Sequence, residues 1–194
     1  MLPTYRINIE DENDAVEFIS IVDKPAIERD FVAFNKQKRV AFNEELRIIT
    51  TPVLIPDKPV YRNDANGEYY LVALHDDVER IYSKFAKDGN FNKINLMHTK
   101  GTEQTSEQVY LYEMFLSDER RGISAPEAFK DLPNKTWFAS YKVLDDEIWN
   151  NIKEGKFNGV SIEGNLGIID LQKDEDYKEM LEAYNELEKL LEKI

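Results

Sequence analysis

Ser161 sits in the run GVSIEG over Gly159–Gly164, and His98 closes the short apolar run INLMH over Ile94–His98. A serine hydroxyl becomes a nucleophile when a base takes its proton and donors stabilise the oxyanion that forms. The chain has two histidines and no cysteine, so few imidazoles could serve as base and no thiolate could replace the serine. Strand alternation in GVSIEG puts Ser161 and Glu163 on one face and Val160 and Ile162 on the other. Gly159 and Gly164 permit the close backbone approach that a substrate would need. His98 precedes the polar stretch Thr99–Gln108, which leaves one ring edge toward solvent. His75 lies at a strand–helix junction, where a capping or surface role suits it better. The chemistry these types and spacings suggest is serine hydrolysis, with Ser161 as nucleophile and His98 as base. Most serines, and most histidines that end a strand, are structural, so the pairing requires that folding bring the two into one groove.

Other constellations do not form. The nucleophile elbow of α/β-hydrolases needs glycines two before and two after the serine; here they fall two before and three after. There is no Ser-x-x-Lys, no Gly-rich phosphate loop and no ligand spacing like HExxH. DENDA over Asp11–Ala15 has the acids of a calcium loop, but its glycine and distal glutamate are misplaced. Neither a metal nor a cofactor is expected.

Composition narrows the partners. The formal charge is −13, from 25 basic and 38 acidic residues, which repels phosphate backbones. KQKR over Lys36–Arg39 is too short a basic patch to reverse that, so nucleic acid is not an expected partner. The absence of cysteine fits an intracellular protein. No apolar run approaches a membrane span of about 18 residues, and the N-terminus has no secretory h-region. A soluble protein is expected.

The elements that must position Ser161 and His98 read as mostly strands. Tyr5–Ile9, Val16–Val22, Ile48–Ile55, Val109–Leu116 and Thr136–Val143 have strand patterning, and Ile27–Phe34 is a further extended stretch. Residues 35–45 read as a loop or short irregular helix. NDANG over Asn63–Gly67 is turn chemistry, pairing Val60–Arg62 with Tyr69–Leu74 as a hairpin. Asp76–Lys87 is an amphipathic helix with Val78, Ile81, Tyr82 and Phe85 on one face. Ile94–Met97 is a short strand into His98, and Thr99–Gln108 reads as a mobile loop. Asp145 caps a second helix over Asp146–Glu154 that buries Ile148, Trp149 and Ile152. Val160–Ile162 and Leu166–Leu171 are the last extended pieces.

From Tyr177 the pattern changes. Tyr177, Met180, Tyr184, Leu187, Leu191 and Ile194 recur at spacings of three and four, a heptad seam with an acidic outer face. A helix this short needs a partner, either the core or another chain. The expected organisation is a β-rich α+β domain over residues 1–171 and an amphipathic helix over 172–194.

Four blocks of this sequence resemble the phage serine protease family of the XkdF type, one branch of the prohead (capsid-maturation) proteases. They are ISIVDKPAI (Ile19–Ile27), TPVLIPDKPVYRND (Thr51–Asp64), INLMH (Ile94–His98) and the block Thr136–Gly164, which ends in GVSIEG. The blocks stand in the family's order and cover much of residues 5–165. The resemblance implies a fold similar to herpesvirus capsid-maturation (assemblin-like) proteases: a closed or partly closed β-barrel flanked by helices, often dimeric. It implies Ser161 as nucleophile and His98 as general base of a serine endopeptidase. Its substrates would be phage scaffold and major capsid proteins or the protease itself, inside an assembling procapsid in the host cytoplasm. The alternative is an inactive structural or scaffold-associated head protein of the same fold. The herpesvirus enzymes use a second histidine, for which only His75 is available. Related prohead enzymes carry an acid on the strand of the ISIVDKPAI block, and the matching position here is Phe18. The third member therefore stays open among Glu17, Asp23 and Glu163.

Overall fold

In the computed structural model, which describes residues 2–9, 11–24, 41–43, 46–64 and 67–171, the alternating runs form strands and the two amphipathic runs form helices. The strands are β1 Thr4–Asn8, β2 Ala15–Val22, β3 Ala41–Asn43, β4 Ile48–Leu54, β5 Val60–Asp64, β6 Gly67–Val72, β7 Ile94–Leu96, β8 Val109–Leu116, β9 Trp137–Val143, β10 Gly159–Asn165 and β11 Gly167–Asp170. The helices are α1 His75–Asp88 and α2 Asp146–Lys153. The strand over 41–43 replaces part of the loop or irregular helix expected for 35–45. The extended stretch expected over 27–34 and the helix expected over 172–194 lie outside the described residues.

Hydrogen bonding sorts the strands into three sheets, in the orders β11-β1-β6-β5, β10-β2-β7 and β3-β4-β9-β8. The α+β, strand-rich expectation holds. No closed barrel is found: closure needs every sheet edge to find a partner, and among the described residues the ladders form three separate sheets. Chain geometry at residues 163–167 contributes to this. β10 breaks register between Glu163 and Gly164, and after Leu166 the chain pairs with β1 as β11. One nearly continuous run thus turns from the β10-β2-β7 sheet into its neighbour. A Cβ at Gly164 would stand 2.0 Å from the Ala15 carbonyl, and one at Gly167 would stand 2.9 Å from Asp14 Oδ2. The close approach at Gly164 is therefore to β2 itself, not only to a ligand.

The core forms where the inner faces meet α1. Val78, Ile81 and Phe85 of α1 are buried with Ile19 and Ile21 of β2 and Trp137 and Tyr141 of β9. Phe85 and Trp137 have ring centroids 5.2 Å apart. Aromatic and branched side chains of this size each contribute about 1.5–3 kcal/mol on burial. Asp77, buried in the first turn of α1, takes two hydrogen bonds from Arg6 at 2.8 and 2.7 Å and one from the Leu74 N–H at 2.9 Å. This ties β1 to α1. Asp145 caps α2 by accepting from the Ile148 N–H at 2.9 Å.

Candidate active site

The β10-β2-β7 sheet fixes the site by register. Ser161 is opposite Ser20 on β2, and Ser20 is beside Asn95 on β7. Paired positions share a face, so the three polar side chains form a row across the sheet, with Glu163 and Phe18 as the next pair on that face. The alternate positions, Ile19, Ile21, Ile94 and Val160, are all buried in the core. Burying those apolar positions therefore forces the row of polar groups onto the other side.

His98 is delivered to this row by a strained turn. Met97 and His98 both have φ of 54°, a left-handed conformation that costs a non-glycine residue about 1 kcal/mol or more. The strain is held by the surrounding bonds. Met97 N–H donates to the Ile21 carbonyl and Thr99 N–H to the Leu96 carbonyl, both at 3.0 Å. Thr102 Oγ1 accepts from the Leu96 N–H at 3.1 Å and lies 2.6 Å from the Thr99 carbonyl. Gln104 N–H donates to the Ile94 carbonyl at 2.7 Å. The first half of the polar stretch Thr99–Gln108 is thus pinned to β7.

His98 Nδ1 lies 2.9 Å from Ser20 Oγ and 3.1 Å from Glu163 Oε2. Ser20 Oγ donates to Asn95 Oδ1 at 2.5 Å, and Asn95 Nδ2 donates to Glu163 Oε2 at 3.0 Å. A hydroxyl has one proton. With that proton on Asn95, both neighbours of Nδ1 are acceptors, so Nδ1 carries the ring proton of neutral His98. The lone pair then falls on Nε2, which makes no hydrogen bond among the described residues. This is the tautomer a general base needs. The hydrogen bond from Asn95 is the largest influence holding the Glu163 carboxyl below its usual range. Partial burial opposes it, while His98 and Ser20 add to it.

Ser161 is buried but lines a cleft of about 660 Å³ together with His98 and Glu163. The opposite wall is Ile7, Leu71 and Ile168 of the neighbouring sheet. The Ser161 hydroxyl has no hydrogen-bond partner among the described residues. Ser20 is fully buried, with its hydroxyl committed to the network. The sequence-derived pair thus shares one cleft, and the hydroxyl bonded to His98 is that of Ser20. Of the three acids left open, Glu163 reaches the histidine. Glu17 is exposed and leaves β2 on the face opposite Ser20; Asp23 lies just past β2. Neither lines the cleft. His75 stands apart, with its Nδ1 2.6 Å from Asp57 Oδ2.

Ser20 and Asn95 were not among the sequence candidates, although both lie in the blocks that carry the family resemblance. Their roles depend on strand register, which no local pattern gives. Among the described residues, no group of three or more His, Cys, Asp or Glu is arranged to hold a metal. No helix among them is long and apolar enough to cross a membrane.

A family model described as "Putative phage serine protease XkdF" matches residues 37–170. The chain belongs to this family. The match spans β3 to β11, and so includes His98, Ser161 and Glu163 of the cleft; β2, with Ser20, precedes it. No curated protein and no solved structure matches the chain.

Proposed function

We propose that the protein is a serine endopeptidase that processes scaffold or capsid proteins during phage procapsid maturation in the host cytoplasm. The observation that carries this reading is the 3.1 Å contact between His98 Nδ1 and Glu163, in one cleft with the unpartnered hydroxyl of Ser161. Family membership supports the reaction class.

On this reading a modest turn of the His98 side chain brings Nε2 to the Ser161 hydroxyl. Ser161 Oγ attacks the scissile carbonyl as Nε2 takes its proton, and Glu163 stabilises the imidazolium. The C–N bond breaks as His98 gives that proton to the leaving amine. Water, deprotonated by His98, then hydrolyses the acyl-enzyme. Glu163 is the third member, with Asn95 and Ser20 holding its carboxylate and the ring in place. A resemblance to assemblin-like proteases, with pairing of two copies or of the 172–194 segment with scaffold, belongs to the same proposal.

A second reading, an inactive head protein of the same fold, has one observation in its favour: His98 is hydrogen-bonded to the buried Ser20 rather than to Ser161. A fluorophosphonate probe separates the two. The protease reading expects a covalent adduct on Ser161, located by peptide mass spectrometry and absent from Ser161→Ala. A folded wild-type chain that never reacts supports the second.

A further inference from the structure

The cleft runs against the charge of the chain around it. The protein carries −13 overall, yet the charged residues lining the cleft are Lys24, Arg62 and Glu163. Glu163 is already engaged by Asn95 and His98. Among the described residues neither Lys24 nor Arg62 has a carboxylate partner. Arg62 projects from β5 and is partly buried; among the described residues its side chain makes one long hydrogen bond, Nη1 to the Tyr61 carbonyl at 3.4 Å. Burial lowers its pKa and the nearby Tyr69 opposes the shift, but a guanidinium stays charged in proteins. A desolvated, unpaired cation is costly unless a ligand compensates it. Its planar fork matches a carboxylate better than any other peptide group.

We infer that the cleft recognises an acidic side chain of the peptide it binds, with Arg62 as the specificity-determining residue and Lys24 adding to the positive field at the mouth. This rests on the protease reading and deepens it to a substrate class: peptides with Glu or Asp near the scissile bond. The apolar wall of Ile7, Leu71 and Ile168 takes the neighbouring side chains.

The test measures binding without turnover. Fluorescein-labelled hexapeptides carrying one Glu, moved through each position in turn, and their Gln counterparts are titrated into Ser161→Ala and followed by anisotropy. At one position the Glu peptide should bind about tenfold tighter than its Gln counterpart, the scale of one charge-assisted hydrogen-bonded contact. In Arg62→Gln the ratio should fall to near one. Equal affinity at every position, or a preference that survives Arg62→Gln, overturns the inference. Should Arg62→Gln not fold, the salt dependence of the Glu/Gln ratio decides: a ratio that does not fall with ionic strength counts against the charge contact. Fluorophosphonate labelling of the wild type is read separately, so a failed protease reading is distinguishable from a failed specificity.

Discussion

Glu163 is the cross-strand partner of Phe18, on the same face of the β10–β2 pair, and its carboxylate lies 3.1 Å from His98 Nδ1. The family resemblance leads one to look for an acid on β2 at the position of Phe18. Glu163 stands one strand over, in the same row. Directly opposite positions of a strand pair have Cβ atoms about 5 Å apart, so an acid at position 18 would enter the row beside Glu163.

That placement can be tested directly. Glu163→Ala should lower the rate of fluorophosphonate labelling by roughly 10²–10⁴-fold, the range seen when the acid of a triad is lost. Adding Phe18→Glu should recover at least about tenfold of that loss. A folded double variant with no recovery would separate the two positions.

The two serines should behave differently. Ser161→Ala should abolish labelling. Ser20→Ala should keep the adduct on Ser161 but label more slowly, and should destabilise the fold by about 1–3 kcal/mol because Asn95 Oδ1 loses its buried donor. Urea unfolding and peptide mapping of the adduct check both halves. An adduct on Ser20 would reverse the assignment.

Nitrogen-15 NMR should find neutral His98 with its proton on Nδ1. In Glu163→Gln the Nδ1–H tautomer should be less dominant, because the carboxylate that fixes it is gone. A neutral ring protonated on Nε2 in the wild type would contradict the network described above.

The pH dependence follows from Glu163. Its pKa is depressed on folding, so its stabilising contribution is present above the unfolded-state value and is lost as pH falls through the lower folded-state value. Loss of stability from this group therefore belongs below the ordinary carboxyl value of 4.5. Thermal unfolding followed through that range checks this, and Glu163→Gln should lack the loss.

Gly164→Ala should be strongly destabilising, by roughly 2–4 kcal/mol, because its Cβ would meet the Ala15 carbonyl at 2.0 Å. It should also cost labelling out of proportion to stability, since Glu163 is the preceding residue. Calorimetry and labelling on the same preparation give both numbers.

Most of the strands were legible because their apolar positions alternate, and both helices because their apolar residues fall on one face. Val109–Leu116 matches β8 end to end, and the cap at Asp145 is where its spacing placed it. The β5–β6 hairpin was legible too; what could not be read was pairing between strands distant in sequence. Ser161 and Glu163 share a face by periodicity alone, but the arrival of Ser20 and Asn95 beside them depends on the register of two further strands. Barrel closure was not legible for the same reason, since a list of strands does not say which edges meet. Glu17, Asp23 and Glu163 were equal as acids in a sequence; strand parity and the turn at Met97–His98 separate them.

The run from Gly159 to Asp170 carries Ser161 and Glu163 on its first half and part of the facing wall, through Ile168, on its second. Two sides of the groove are therefore one length of backbone bent at a corner. A change in the angle at that corner would therefore shift Ile168 relative to the Glu163 carboxylate beside His98: the spacing across the groove and the seat of the acid share one bend.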